Sequence, residues 1–374
     1  MICQTDIMAQ GGSALGRYQG KIIFIEGALP GEKVQIEIIK AKKDFAQARV
    51  VKVLEPSPYR IDATCPLYGV CGGCNMQHAN IAGQRKFKKE VAADAFKRMG
   101  KIDLPASLTI SGGEPWEYRS RARFHQSPQQ KWGFLRAQSR QVVPVAHCPL
   151  LTPGLQKNWP QQVAKQKARQ MQIWEGTAGI SAWDTHPRTK APAAQTQILH
   201  KTFSADASVF FQSNLPMTEV LLERVLHHIP SSGGRAIDLF SGVGVFAAFL
   251  EEHFEQVQAV ERHLGCMEHA RRNLRPSTEF VNAPAETWLT SKSGRHADLL
   301  VVDPPRTGLP ANLRQSLVAA RPRNMIYVSC DPVTLARDAG ELVRAGWELQ
   351  AVEAFDFYPQ SHHLEMLAVF KNAD

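Results

Sequence analysis

Short runs of alternating apolar and polar residues mark the start of this chain. Lys21-Ile22-Ile23-Phe24-Ile25 reads as one strand, and Val34-Gln35-Ile36-Glu37-Ile38 alternates with the period of two expected of a half-buried strand. Ala48-Arg49-Val50-Val51-Lys52-Val53 reads as a third strand, and Leu29-Pro30-Gly31-Glu32 is a turn signal. Pro56-Ser57-Pro58 then breaks the chain, so residues 1–55 are expected to form a small β unit. Gln84 to Met99 has helical character, and residues 100–200 are expected to be mostly β, giving a central region over 56–204. From 205 to 374 strands alternate with helices. The strands are Arg235–Phe240, Val257–Glu261, Glu279–Asn282, Asp298–Asp303, Asn324–Cys330, Trp347–Phe355 and Met366–Phe370. This alternation predicts a doubly wound α/β domain, whose ligands bind at the carboxyl ends of the strands.

Composition narrows the function classes. A length of 374 residues suits two or three domains. No apolar run reaches spanning length and the N-terminus carries no basic-then-apolar leader, so a cytoplasmic monomer with no membrane partner is expected. The formal net charge of +9 favours a polyanionic partner such as RNA. Seven cysteines, an odd number, argue against a disulfide framework and leave thiols free as metal ligands or nucleophiles.

The candidate chemistry gathers at predicted strand ends. Cys330 follows one buried strand, Asp303 ends another on a Pro-Pro turn, and Glu365 stands just before the last strand. A thiol and two acids so placed point to nucleophilic catalysis on a planar substrate. In Asp238-Leu239-Phe240-Ser241-Gly242-Val243-Gly244, Gly242 and Gly244 let the backbone approach a ligand, and Glu261 at the end of the next strand can accept from ribose hydroxyls. The third glycine of a dinucleotide fingerprint is missing, so a nucleoside without pyrophosphate, such as S-adenosylmethionine, fits better than NAD. Cys65, Cys71 and Cys74, with Cys148 in His147-Cys148-Pro149, provide thiolates for either zinc or an iron–sulfur cluster. Tyr118-Arg119-Ser120-Arg121-Ala122-Arg123-Phe124 alternates strictly, so a strand there would set Arg119, Arg121 and Arg123 on one face, to track an RNA backbone, to clamp a substrate phosphate or to stand as a solvated surface.

With these motifs together, the chain resembles the RNA (uracil-5-)-methyltransferase family over nearly its full length. Gly27-Ala28-Leu29-Pro30-Gly31-Glu32 resembles the TRAM domain, and the Cys65–Cys74 segment with Gly72-Gly73 and Gln77-His78 resembles the iron–sulfur segment of the ribosomal-RNA branch. Phe211-Gln212-Ser213-Asn214, Asp303-Pro304-Pro305-Arg306, Ser329-Cys330-Asp331-Pro332 and Pro359-Gln360-Ser361-His362-His363-Leu364-Glu365 resemble the methyltransferase motifs. Val245, Pro284 and Tyr358 depart from the family pattern. The resemblance implies an N-terminal oligonucleotide-binding-like barrel, a mostly β central domain and a C-terminal Rossmann-like methyltransferase domain. It implies Gln212, Phe240, Glu261 and Asp303 as S-adenosylmethionine contacts, Cys330 as nucleophile, Glu365 as base with His363 as the next candidate, and a 4Fe–4S cluster on the four cysteines. The implied activity is methylation of C5 of a uridine, in 23S ribosomal RNA ahead of a tRNA T loop. A non-catalytic RNA-binding protein of the same fold is the alternative of a different class.

Overall fold

The computed structural model describes residues 1–164, 168–186, 188–230, 233–289 and 297–372. Near the N-terminus, β1 (Ile2–Met8), β2 (Ala14–Tyr18), β3 (Lys21–Glu26), β4 (Lys33–Ala41) and β5 (Phe45–Glu55) close into a barrel of order β1-β2-β3-β5-β4. Inward positions alternate along the strands, so Cys3, Ile23, Ile25, Val34, Ile36 and Ala48 pack as its core. The predicted strands correspond to β3, β4 and β5. In β1 and β2 the polar Gln4, Thr5, Asp6 and Arg17 dilute the apolar period, and these two strands are additional. Glu32, in the Leu29–Glu32 turn, anchors the barrel to the segment after Pro56. Its buried carboxylate accepts from Leu29 N at 2.8 Å, from Ser57 N at 3.2 Å and from the Arg60 guanidinium.

Helix α1 (Ile81–Ala95) begins where the Asn80 side chain accepts Gly83 N at 2.8 Å. After β6 (Ile110–Gly112) comes an antiparallel sheet of β7 (Arg121–Gln126), β8 (Trp132–Leu135), β9 (Val142–Pro144), β10 (Gln170–Glu175) and β11 (Ile180–Trp183), in the order β11-β10-β7-β8-β9. Helix α2 (Pro153–Ala164) lies against it and stacks Trp159 on Phe124, with ring centres 4.6 Å apart. A hairpin of β12 (Ala194–Ile198) and β13 (Lys201–Ala205) leads to α3 (Leu215–His227).

The C-terminal sheet carries the site. Its strands are β14 (Gly233–Leu239), β15 (Phe254–Val260), β16 (Glu279–Val281), β17 (Leu299–Val302), β18 (Asn324–Ser329), β19 (Trp347–Asp356) and β20 (Glu365–Asn372). Between them run α4 (Val245–Leu250), α5 (Leu264–Asn273), α6 (Ala285–Leu289), α7 (Ala311–Ala320) and α8 (Pro332–Arg344). The order β16-β15-β14-β17-β18-β20-β19-β6 makes an eight-stranded α/β sheet with a core on each face, one around Phe246, Phe249 and Leu367, the other around Tyr327, Leu335 and Phe370. Strands β14 to β18 are parallel, and β20 inserts antiparallel between β18 and β19. The chain leaves β14 toward β15 on one side and returns to β17 on the other, which opens a crevice at their carboxyl ends. The edge strand β6 comes from far upstream, pairing parallel to β19, and Ala92 and Phe96 at the end of α1 join the core beneath. Among the described residues no helix is long and apolar enough to cross a membrane.

Candidate active site

The register of β18 and β20 brings the two proposed catalytic groups together. Ser329 pairs with Met366 in an antiparallel ladder, so one further step sets Cys330 across from Glu365, the first residue of β20. Cys330 is half-buried and Glu365 is only 4% exposed. Burial pushes the Cys330 thiol up to about 12, with Glu365 and Asp303 adding to the rise and Arg306 opposing it. Burial also holds the Glu365 carboxyl well above its usual range, again with Asp303 adding and Arg306 opposing. The Asp303 carboxyl is raised by burial to about 7. Cys330 is held at a strand-to-helix turn, where the Asp331 side chain caps α8 by accepting Val333 N at 2.9 Å and Thr334 N at 3.0 Å. Asp303 caps no helix, since α7 starts only at Ala311 behind Pro310.

Arg306 is a functional candidate whose role the motif reading left unassigned. It follows the Pro-Pro turn, and its loop is fixed from below: Asp338 accepts Leu309 N and the Tyr327 hydroxyl, each at 2.8 Å, while Arg337 donates to Thr307 O at 3.0 Å. The Arg306 Nη2 donates to His363 Nε2 at 3.3 Å. Burial, with His362 and Arg306 beside it, pushes the His363 imidazole down to about 3. His363 is therefore neutral, with one ring nitrogen already engaged, and makes a poor general base.

The crevice beyond β14 is lined with acids. Phe240 turns the chain with φ of 67°, and its N–H, like that of Ser241, donates to Val260 O at 3.1 Å. Gly242 has φ of 54° and a Cβ there would meet nothing within 4 Å, so the backbone faces open space. Gly244 has φ of 89° and a Cβ would meet Leu274 at 2.9 Å, which closes this position to other residues. Glu261 accepts Gly242 N at 3.1 Å and His263 N at 2.6 Å; each oxygen keeps a second lone pair that a ribose hydroxyl can use. Asp238 accepts Ala247 N at 2.8 Å through one oxygen, while its other oxygen finds no partner among the described residues. Burial, with Asp303 and Glu261 nearby, raises its carboxyl to about 8. An acid-rich, low-dielectric crevice favours a cationic ligand. Gln212 is half-buried ahead of α3. Phe210, two residues before it, is 63% exposed, which is unusual for Phe and marks a second residue absent from the motif reading.

The other predicted residues fall into a separate place. Cys65, Cys71, Cys74 and Cys148 all line one cavity of about 250 Å³, together with Arg119 and Arg123. Residues 118–124 alternate between buried and more accessible positions, with Arg119, Arg121 and Arg123 all on the more accessible side. The strand begins only at Arg121, and Arg119 makes isolated bridges to Leu151 and Asn214. The side chains of Arg121 and Arg123 find partners within the protein. Arg121 Nη2 donates to Ala207 O at 2.9 Å, and Arg123 donates twice to Gln172 Oε1, at 3.1 and 2.8 Å. Of the three, only Arg123 is exposed.

Comparison with known proteins bears on the family and the fold. Residues 7–51 match the TRAM domain, residues 200–323 the methyltransferase small domain and residues 293–372 the tRNA (Uracil-5-)-methyltransferase model. The 23S rRNA (uracil(1939)-C(5))-methyltransferase RlmD of Aeromonas hydrophila is 31% identical over 96% of this chain and 93% of its own. The protein of the same description from Shewanella sp. (strain MR-7) is 30% identical over 97% and 93%. An uncharacterized RNA methyltransferase of Treponema denticola is 28% identical over 99% and 98%. In fold, the chain matches the crystal structure of Pyrococcus abyssi tRNA (uracil-54, C5)-methyltransferase in complex with S-adenosyl-L-homocysteine, with a TM-score of 0.76, 21% identity, and coverage of 99% of this chain and 100% of that one. The chain belongs to the S-adenosylmethionine-dependent RNA (uracil-C5)-methyltransferase family.

Proposed function

We propose that this enzyme methylates C5 of a uridine in 23S ribosomal RNA through a covalent adduct at Cys330. The observation that carries the reading is the β18–β20 register, whose Ser329–Met366 pair leaves Cys330 and Glu365 one step further on, opposite each other. C5 of uracil is a weak nucleophile. Addition of the Cys330 sulfur to C6 moves the ring π electrons toward O4 and leaves C5 electron-rich. S-adenosylmethionine supplies a methyl sulfonium when bound. C5 takes the methyl group as the methyl–sulfur bond breaks. Glu365 then removes the C5 proton, the C5–C6 double bond re-forms and the Cys330–C6 bond breaks, which returns the thiolate. Asp303 and Glu365, held toward protonation by burial in the free protein, ionise more readily beside a positive charge. Gln212, Phe240, Gly242, Gly244 and Glu261 are the remaining cofactor contacts in this reading.

We assign residues 1–55 to RNA docking, 56–204 to a central unit and 205–374 to catalysis, with α1 and β6 of the central unit packed onto the catalytic sheet. The ribosomal target rests on what the relatives' descriptions say of those proteins. The enzyme, given cofactor labelled in the methyl group, should place label in 5-methyluridine of a 23S transcript, read by nucleoside mass spectrometry. Label only in tRNA would move the substrate, and none in either RNA would sink the reading.

We propose a 4Fe–4S cluster as the occupant of the cysteine cavity. Among the described residues no three Cys, His, Asp or Glu side chains converge as a single ion requires, yet four cysteines surround one space. A cluster is larger than an ion and takes its thiolates from further apart. Burial pushes the Cys74 thiol up to about 12 and raises Cys71 and Cys148, so an empty donor set is costly to ionise. Cys65, Cys71, Cys74 and Cys148 would hold the group and tie the 65–74 segment to the central sheet. Protein purified without air should be brown and contain iron and sulfide, whereas colourless protein with one zinc would overturn the assignment.

A further inference from the structure

We infer that Asn75 is a positioning residue that ties the β1–β2 turn of the barrel to the loop bearing His362 and His363, and so sets one wall of the active site. The inference rests on the reading of Cys330 and Glu365 as nucleophile and base. Asn75 Nδ2 donates to Gly11 O at 2.8 Å and to His362 Nδ1 at 2.9 Å, and its Oδ1 accepts His362 N at 3.0 Å. One amide side chain thus joins the barrel tip to both the backbone and the ring of His362. The backbone N–H groups of Asn75 and Met76 both donate to Gln360 O, at 3.1 and 3.0 Å. Gln360 itself has φ of 71°, a conformation that a non-glycine residue keeps only where its surroundings impose it. The rings of His362 and His363 lie 4.1 Å apart, and His363 meets Arg306. A displacement of His362 would therefore reach the guanidinium whose charge acts on Cys330 and Glu365.

The same turn touches the opposite wall. Gln10 Nε2 donates at 3.2 Å to Asp331, the residue after the nucleophile. Gly12 packs so closely that a Cβ there would meet Asn75 Nδ2 at 2.6 Å and His362 Cβ at 3.2 Å. The tip of the barrel therefore abuts the nucleophile turn and the loop ahead of the base at once. Chemistry between Cys330 and Glu365 tolerates little misplacement, and the Asn75 side chain hydrogen-bonds to both the tip and the loop.

Two variants test this. Asn75→Ala removes the tie, and Gly12→Ala pushes on it from the barrel. In single-turnover reactions with saturating RNA and cofactor, each should lower the methylation rate by about tenfold to a hundredfold, the scale of an ångström-sized misplacement. Affinity for S-adenosylhomocysteine should stay within about twofold, as expected when a transition-state interaction alone is lost. Backbone amide exchange at residues 360–363 should speed up in Asn75→Ala while the catalytic strands stay protected. A rate loss that merely tracks the unfolded fraction, or an unchanged rate, would overturn the proposal. The exchange measurement needs no RNA. Unchanged exchange at 360–363 therefore refutes the tie by itself, whereas a wild-type enzyme that makes no 5-methyluridine refutes the reading of the site.

Discussion

Cys330→Ala is expected to lower RNA methylation by roughly 10⁴-fold or more, because without the sulfur C5 never becomes electron-rich. Affinity for S-adenosylhomocysteine should be retained, since the acids of the crevice are untouched. The wild-type enzyme should show a matching pH signature. In the free protein burial pushes the thiol up to about 12, so the thiolate fraction grows with pH across the neutral and mildly alkaline range. The value of kcat/KM, which reports the free enzyme, should accordingly climb with pH and show no plateau from this group below about pH 10. Residual Cys330→Ala activity near the wild-type level would place the nucleophile elsewhere.

The Glu365→Gln enzyme should behave differently. Addition at C6 needs the Cys330 sulfur and not the carboxylate, and loss of an acid that raises the thiol makes addition easier. Methyl transfer to C5 can follow. The C5 proton then has no base, because neutral His363 already accepts from Arg306. Turnover should fall by about 10²–10⁴-fold, the usual worth of a positioned base. An enzyme–RNA adduct that carries methyl label should accumulate and survive a denaturing gel. Normal turnover by Glu365→Gln would remove the base role, and an adduct that persists in Cys330→Ala would remove the nucleophile role.

The strands of the catalytic sheet were legible because they are runs such as Leu299–Val302, buried at all four positions. Their carboxyl ends, and with them Cys330, Asp303 and Glu261, could be placed from the same runs. The insertion of β20 between β18 and β19 was not legible, because strand order depends on where a connection crosses and not on any local period. Yet that insertion is what faces Glu365 with Cys330. In the row Arg119, Arg121 and Arg123 the alternation was legible and the partners of the side chains were not. Alternation assigns side chains to a face but says nothing of the groups that meet them there, here the Ala207 carbonyl and the Gln172 side chain. Asn75 carried no signal, since its partners Gly11 and His362 lie far away in the chain.

The short strand β6 bears on how this enzyme is assembled and handled. It finishes the catalytic sheet, although it is synthesised long before the strand it pairs with. During translation that piece has no partner until β19 emerges, so the last sheet edge closes only near the end of synthesis. A fragment cut at residue 205 would start life with the flank of β19 bare and the core beneath it stripped of Ala92 and Phe96. Such an edge invites a second copy to dock and grow an intermolecular sheet. Fragments meant to carry the chemistry alone should therefore begin upstream of Ile81, so that the helix and the closing strand travel with them.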